Sequence, residues 1–318
     1  LVMIGNGMAG LRTIEEILER SQSQFDITII GKEPYPNYNR IMLSNILQKK
    51  MTVEDTIMNS YDWYQENNIE LINNDPVEKV DKENKIVTTS KGIEVEYDIC
   101  IFATGSKAFV LPIPGSNLPS VIGWRTIDDT NKMIEIAQTK KRAVVIGGGL
   151  LGLECARGLL DQGMEVTVLH LADWLMEMQL DRKAGDMLKA DLEKQGMKIE
   201  LQANSKEIIG DKDVEAIKLA DGRVIETDLV VMAVGIRPYT EVAKDSGLDV
   251  NRGIVVNDYM QTSDSHIYAV GECAEHDGKV YGLVAPLYEQ GKVLADYLTG
   301  KETKGYKGST TFTSLKVS

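Results

Sequence analysis

Two glycine-rich segments constrain the fold of this chain most strongly. They read GNGMAG at residues 5–10 and GGGLLG at residues 147–152, and each follows a short apolar run. In a G-x-G-x-x-G segment between a strand and a helix, the first glycine makes the tight turn and the second lets backbone approach a pyrophosphate. The third glycine lets the helix pack closely on the strand. Two such segments predict two bound dinucleotides, with hydride or electrons passed from one to the other.

Composition limits the remaining possibilities. The 318 residues are 43% hydrophobic, which is enough for two domains with separate cores. The net charge of −13 argues against a nucleic-acid surface. We find no signal peptide and no apolar run long enough to span a bilayer, so we expect a cytoplasmic protein without a membrane partner. The beginning inside an apparent strand and the open end predict a fragment of a longer protein.

The cysteine content predicts a reducing compartment and no metal site. Cys100, Cys155 and Cys273 are far apart and have no CxxC spacing, which argues against a disulfide scaffold or a local zinc site. His266 and His276 lack metal-ligand spacing. We therefore assign no chemistry to these histidines.

Residues 1–105 and 143–235 follow the same order of elements. Each copy begins with a strand, a glycine turn and a helix, continues through a short meander, and ends on an apolar strand followed by a glycine, Gly105 or Gly235. Continuous apolar strands between helices indicate parallel sheets covered on both faces. The alternative is one large α/β domain with chance glycines.

Local signals place several elements. The pattern predicts helices over 13–20 and 153–162, the second ended by Gly163, and a hairpin turn at Asp221-Gly222. Thr52 with Asp55 three residues later resembles a capping box, and we predict a helix over residues 52–68. The prolines near Gly115 predict a linker over 106–120.

Four motifs in this order give a specific resemblance. They are GNGMAG, Ala103-Thr104-Gly105, GGGLLGLE and the segment TSDSHIYAVGE at residues 262–272. The chain resembles the two-dinucleotide flavoproteins that include glutathione-reductase-like and ferredoxin-reductase-like enzymes. The resemblance implies an α/β fold of two Rossmann-like, glutathione-reductase-type domains, with the NAD(P) domain inserted into the FAD domain. The expected segments are 1–118 and 249–308 for FAD, 119–248 for NAD(P)H, and 309–318 as the start of a truncated C-terminal region.

Finer motifs resemble the N-terminal part of NAD(P)H-dependent nitrite reductase large subunits. They read YPNYNRIMLS at 35–44, WLMEMQLD at 174–181, GECA at 271–274 and GLVAP at 282–286. This resemblance implies hydride transfer from NAD(P)H to FAD, followed by electron transfer to iron–sulfur and sirohaem centres outside this chain. One alternative is a stand-alone rubredoxin or ferredoxin reductase that serves a small electron carrier. Another is a non-catalytic flavoprotein that senses NAD(P)H.

The resemblance and the turn spacing together give the FAD-binding candidates. They are Gly5, Gly7, Met8, Ala9, Gly10, Lys32, Glu33, Arg40, Ser44, Ala103, Thr104, Gly105, Gly271, Glu272, Leu283 and Val284. Glu33 ends the second strand and can accept hydrogen bonds from a ribose, or it is an exposed turn residue. Arg40 contacts the flavin cofactor by resemblance, or it is a solvated arginine. The resemblance also brings Glu272 to the ribityl chain. It places the segment 282–286, followed by a predicted helix over 287–298, beneath the flavin's pyrimidine ring, unless that helix is an ordinary surface one.

A second set concerns NAD(P). Its members are Gly147, Gly149, Leu150, Leu151, Gly152, Glu154, His170 and Gly235. NADH enzymes usually carry an acidic residue at the position of His170, and NADPH enzymes favour a nearby arginine. His170 can hydrogen-bond a ribose, favour a 2′-phosphate when charged, or merely end a strand. Glu154 approaches the nicotinamide or simply provides a favourable charge at a helix N-terminus. Coenzyme preference is left open, with NADH favoured on family grounds alone.

No catalytic side chain is assigned. Residues 6–99 contain no cysteine, which excludes the dithiol relay of disulfide reductases and the single-cysteine mechanism of related enzymes. Cys273 lies in a cofactor motif, but we interpret it as a small buried residue. The electrons of a reduced flavin must therefore go to another acceptor.

Overall fold

The computed structural model describes residues 1–317. Its strands are β1 (Val2–Ile4), β2 (Ile27–Ile30), β3 (Asn37–Tyr38), β4 (Ile57–Asn59), β5 (Ile69–Ile72), β6 (Val77–Asp81), β7 (Ile86–Thr89), β8 (Glu94–Glu96), β9 (Cys100–Phe102), β10 (Ser106–Ala108), β11 (Val121–Gly123), β12 (Arg142–Ile146), β13 (Glu165–Leu169), β14 (Lys198–Glu200), β15 (Ser205–Ile209), β16 (Ala216–Leu219), β17 (Val224–Glu226), β18 (Leu229–Met232), β19 (Ile236–Pro238), β20 (Ile254–Val256), β21 (Ile267–Ala269), β22 (Ala274–His276) and β23 (Lys279–Val280). The helices are α1 (Met8–Arg20), α2 (Leu43–Leu47), α3 (Tyr61–Glu66), α4 (Ile127–Thr139), α5 (Leu150–Asp161), α6 (Arg182–Lys194), α7 (Glu241–Asp245) and α8 (Val284–Leu298).

The chain packs as two compact units that alternate along the sequence. The first unit comprises Leu1–Asn39, Ile57–Ser106 and Arg237–Thr313. The second comprises Arg40–Thr56, Lys107–Ile236 and the residues from 314 onward. Along the sequence, the long segment Lys107–Ile236 of the second unit thus comes between two segments of the first unit. These units are defined by packing, and the expected limits of the cofactor-binding domains stay a prediction.

The first unit is built on a five-stranded parallel sheet in the order β21-β9-β1-β2-β5. The strands β1 and β9 are apolar and buried at every position, and Met3, Ile29 and Ile101 have no exposed surface, as expected for a parallel sheet covered on both faces. The helix α1 packs against α8, where a Cβ on Gly291 would come within 2.6 Å of the Thr13 hydroxyl. That close approach requires glycine in α8.

A second five-stranded parallel sheet, in the order β11-β18-β12-β13-β14, forms the second unit. In both sheets the strand before the glycine turn lies between the strand after the helix and the closing apolar strand, as β9-β1-β2 and β18-β12-β13. Each unit also has a three-stranded antiparallel meander, β6-β7-β8 or β15-β16-β17. The predicted repeat and the α/β fold class are confirmed.

The local predictions have mixed outcomes. The helices α1 and α5 both form, but they begin five and three residues before the predicted starts at 13 and 153. Gly163 follows α5 with φ +92°. The Asp221-Gly222 turn connects β16 to β17. The linker predicted over 106–120 is wrong at its start, because residues 106–108 form β10, whereas residues 109–120 contain no helix or strand.

The single helix predicted over residues 52–68 is wrong. Thr52 and Asp55 do exchange capping hydrogen bonds, with the Thr52 amide donating to Asp55 Oδ2 at 2.8 Å. These bonds support only the 3₁₀ turn Glu54–Thr56, after which β4 pairs with β3 and α3 begins. Pairing with a distant strand therefore overrides the local helical signal.

Candidate cofactor-binding sites

The first glycine turn connects β1 to α1 and uses its three glycines differently. Gly5 has φ +115°, and a Cβ there would lie 2.3 Å from the Ala103 carbonyl oxygen. A Cβ on Gly10 would lie 3.0 Å from the Ala103 Cβ and from the Gly5 oxygen. In contrast, a Cβ on Gly7 would meet nothing within 4 Å. The outer glycines are therefore required by internal packing, whereas Gly7 leaves an open backbone surface.

The second turn, between β12 and α5, repeats this geometry. Gly147 has φ +120°, and a Cβ there would lie 2.3 Å from the Ala233 oxygen. A Cβ on Gly152 would lie 1.9 Å from the Gly147 oxygen, whereas one on Gly149 would meet nothing within 4 Å. The same division into two packing glycines and one open glycine therefore occurs in both units.

Both turns present the N-terminus of a helix. Gly7 and Gly149 are the N-cap residues of α1 and α5, and neither has a side chain to cap the helix. No acidic residue lies in the first turn of either helix, where Met8 or Leu150 comes first. The first amides of a helix lack intrahelical partners and favour anions. Both glycine turns, with their helix N-termini, thus fit the pyrophosphate of a dinucleotide.

Lys32 and Glu33 follow β2 in the first unit. The Tyr38 hydroxyl donates to Glu33 Oε2 at 2.7 Å. Lys32 Nζ donates to the Tyr239 hydroxyl at 2.9 Å and lies over that ring. Because β2 ends at Ile30, Glu33 does not end the second strand as predicted but lies three residues beyond it, where Tyr38 holds its carboxylate.

A polar network that we did not predict supports the first glycine turn. The Tyr64 hydroxyl donates to Asn6 Oδ1 at 2.8 Å and accepts from the Asn37 amide at 3.1 Å. Asn37 Nδ2 in turn donates to the Asn6 carbonyl at 3.2 Å. The side-chain oxygens of Asn37 and Asn73 are buried and have no hydrogen-bond partner within residues 1–317. The network therefore holds the side chain and the carbonyl of Asn6 in the turn.

Glu272 lies in the 3₁₀ turn Gly271–Cys273 and is 6% exposed. The Ser106 hydroxyl donates to Glu272 Oε2 at 2.6 Å. Gly271 has φ +88°, and its amide donates to Gln290 Oε1 at 2.9 Å. The motif is therefore fixed to α8, whose N-cap is Leu283.

The remaining candidates of the first unit lie after β9. Ala103 is buried against the glycine turn, and the Thr104 hydroxyl donates to the Tyr239 carbonyl at 2.8 Å. Gly105 has φ +64°. These residues place the closing strand beside Gly5 and Gly10, as the repeat requires.

Arg40 and Ser44 belong to the second unit by packing. Arg40 Nη1 donates to the Arg125 carbonyl at 2.5 Å. Ser44 is 2% exposed and its hydroxyl donates to the Ile41 carbonyl at 3.4 Å. Their expected contacts with a flavin stay a prediction.

His170 is 7% exposed at the end of β13, beside the second glycine turn. The Gly148 amide donates to His170 Nδ1 at 3.1 Å. Across the ring, Nε2 lies 2.9 Å from Glu177 Oε2. Glu177 was not among the predicted site residues, although it lies within the WLMEMQLD motif.

Glu154 is the fifth residue of α5, so the prediction that it lies in the first turn of the helix is wrong. It is 5% exposed and is paired with a cation. Lys316 Nζ donates to its Oε1 at 2.9 Å, and the Lys316 amide lies 3.2 Å from the same oxygen. Lys316 was also not predicted as a site residue. Gly235 has φ +111°, and its carbonyl accepts from the Phe109 amide at 2.9 Å.

The three cysteines are buried and reduced. Burial raises the pKa of each thiol. Such thiols are poor nucleophiles because the thiolate is the reactive form. Within residues 1–317, no group of three or more His, Cys, Asp or Glu side chains could hold a metal ion, and no helix has the length and apolarity to cross a membrane.

The chain has two α/β units, each with a parallel sheet and a glycine turn open to a pyrophosphate. This combination is typical of oxidoreductases that bind two nucleotides. The family model for pyridine nucleotide-disulphide oxidoreductases matches residues 1–291. The chain belongs to this family.

Relatives and a solved structure agree with the assignment. Over the whole chain, 58% of residues are identical to a Bacillus subtilis nitrite reductase [NAD(P)H] and 47% to an assimilatory nitrate reductase electron transfer subunit of the same organism. The chain spans 40% and 41% of these two proteins. NADH:rubredoxin oxidoreductase from Clostridium acetobutylicum has a TM-score of 0.85 at 32% identity, with 100% of this chain and 79% of that structure covered. The resemblance to nitrite reductase large subunits is thereby confirmed.

Proposed function

We propose that the chain is the flavoprotein part of a cytoplasmic nitrite reductase large subunit. The first unit would bind FAD and the second would bind NAD(P)H. The observation that carries this proposal is the pair of matching glycine turns, each with one glycine open to solvent. The 58% identity to a nitrite reductase favours this function among those of the family.

In the first unit, the turn around Gly7 would hold the FAD pyrophosphate through backbone amides. Glu33 would accept hydrogen bonds from the adenosine ribose, and Glu272 would face the ribityl chain. The N-terminus of α8 would stabilise negative charge on the flavin because helix N-termini carry partial positive charge. The proposed FAD set also includes Arg40 and Ser44, which pack within the second unit.

In the second unit, the turn around Gly149 would hold the pyrophosphate of NAD(P)H. Glu154 is buried and tied to Lys316, so it is a fixed carboxylate that would orient the nicotinamide end. FAD, when bound, supplies hydride acceptance from NAD(P)H and onward release of single electrons. Iron–sulfur and sirohaem centres outside this chain would receive those electrons and reduce nitrite to ammonia.

An anaerobic absorbance titration tests the proposal. The purified chain, supplied with FAD, is titrated with NADH and separately with NADPH. We expect bleaching of the oxidised flavin bands at one equivalent of the preferred nucleotide. A chain that binds no FAD, or whose bound FAD neither nucleotide reduces, would contradict the proposal.

Delivery to a separate small carrier is a second candidate, supported by the likeness to NADH:rubredoxin oxidoreductase. Assays of the full-length protein distinguish the two candidate functions. NAD(P)H-dependent ammonia formation from nitrite favours the nitrite reductase. Rapid reduction of added rubredoxin without nitrite turnover favours the carrier reductase, and negligible turnover with ferricyanide favours a sensor.

A further inference from the structure

We infer that Glu177 is the carboxylate that recognises the adenosine ribose of the nicotinamide nucleotide, and that it makes the second unit selective for NADH over NADPH. This inference rests on the proposed binding of NAD(P)H to the second unit. In dinucleotide sites, a carboxylate near the end of the second strand accepts hydrogen bonds from the ribose hydroxyls. Here that strand ends before His170, and the carboxylate beside its ring belongs to Glu177.

Both nitrogens of His170 have partners within the second unit. Because the Gly148 amide donates to Nδ1, this nitrogen must be an unprotonated acceptor. The proton of the neutral ring is then on Nε2, which donates to Glu177 Oε2 at 2.9 Å. His170 is therefore a positioning residue that connects the glycine turn to the carboxylate.

The loop that carries Glu177 is fixed to the same turn. The Met176 amide donates to the Gly148 carbonyl at 3.1 Å, and Met176 has φ +54°. Leu175 is fully buried, and its Cδ2 would be 2.6 Å from a Cβ on Gly148. The loop thus folds back over the glycine turn, so Glu177 is held in place before any nucleotide binds.

One carboxylate oxygen of Glu177 remains available. The side chain is 35% exposed, and Oε1 has no hydrogen-bond partner in the described part of the chain. The other two acids of this loop have other roles, since Asp173 accepts from Gln202 and Asp181 caps α6. Glu177 is the acid of this loop that contacts His170, and its free oxygen can accept hydroxyl hydrogens.

The charge of the loop favours NADH. Residues 171–181 contain three acids and no lysine or arginine. A 2′-phosphate would bring about two negative charges close to this carboxylate without a cation from the loop. The 2′-hydroxyl of NADH would instead donate to it.

Equilibrium binding of NAD⁺ and NADP⁺ to the oxidised, FAD-supplied chain tests the inference by calorimetry. In Glu177→Gln, the amide oxygen can still accept from His170 while the charge is lost. We expect NAD⁺ to bind about 10- to 100-fold more weakly and NADP⁺ to bind equally well or better. Glu193→Gln, which removes an equal charge from exposed α6, is the matched control and should leave both affinities unchanged.

Further outcomes separate the possible failures. An unchanged ratio of the two affinities in Glu177→Gln overturns the specificity assignment alone. A wild-type chain that binds neither nucleotide contradicts the proposed function itself. His170→Leu should lower the ratio of NAD⁺ affinity to NADP⁺ affinity. A variant with a lowered melting temperature but an unchanged ratio would refute the positioning role of His170.

Discussion

The two open glycines predict that FAD and NAD(P)H binding can be removed separately without unfolding the chain. The proposed variants are Gly7→Ala and Gly149→Ala. Both glycines have ordinary extended backbone, with φ −92° and −87°, and neither Cβ would meet an atom within 4 Å. Alanine is a poorer N-cap than glycine, but it also lowers the entropy of the unfolded chain by about 0.4–1 kcal/mol. These opposing effects should leave the free energy of unfolding within about 1 kcal/mol of wild type.

Binding should respond much more strongly than stability. The added methyl group would occupy the surface that a pyrophosphate must approach to accept hydrogen bonds from the helix amides. Losing one such bond to a charged group costs about 1.5–3 kcal/mol. The dissociation constant should therefore rise about 10- to 100-fold for the cofactor of the altered turn.

Flavin fluorescence quenching measures FAD affinity of the apoprotein, and calorimetry measures NAD⁺ affinity. Gly7→Ala should lose FAD affinity and Gly149→Ala should lose NAD⁺ affinity, so each variant is the control for the other. Melting temperatures without cofactor should differ from wild type by a few degrees at most. The reasoning is refuted if both variants keep both affinities within threefold of wild type.

Three further predictions concern the first unit. Gly5→Ala should lower the free energy of unfolding, measured in urea, by more than about 2 kcal/mol, because φ is +115° and the Cβ would lie 2.3 Å from a carbonyl oxygen. A loss below about 0.5 kcal/mol would contradict this prediction. Tyr64→Phe should lower the free energy of unfolding by about 1–3 kcal/mol, because the buried Asn37 amide loses its acceptor. Burial raises the pKa of Tyr64 to about 12, so the wild-type advantage should be full below pH 10 and shrink between pH 10 and 12, and a pH-independent difference would refute it. Glu272→Gln should weaken FAD retention while the Ser106 hydroxyl keeps an acceptor, and undiminished FAD occupancy after gel filtration would exclude its role.

The architecture could be predicted because the same order of motifs occurs twice in the sequence. A strand, a glycine turn and a helix follow one another within a few residues, and the steric need for Gly5 and Gly147 comes from the closing strand of the same unit. The Asp221-Gly222 hairpin is equally local. Where each element agrees with its neighbours, sequence patterns suffice to give topology.

The wrong helix over residues 52–68 shows where local reasoning fails. The capping interaction of Thr52 with Asp55 forms, yet it carries no information about how far the helix extends. Residues Ile57–Asn59 pair with Asn37–Tyr38, about twenty residues earlier in the chain, and no local sequence pattern predicts that pairing.

The candidate site was predictable in its backbone and only partly in its side chains. The spacing rule draws attention to His170, but it assumes that the recognising acid occupies the strand end itself. The carboxylate reaches this place from seven residues further on, since the loop folds back through a left-handed Met176 and a buried Leu175. An ambiguous histidine at a ribose position is therefore a reason to search the following loop for the acid that it orients. That rule makes Glu177, rather than His170, the side chain whose charge should decide the coenzyme.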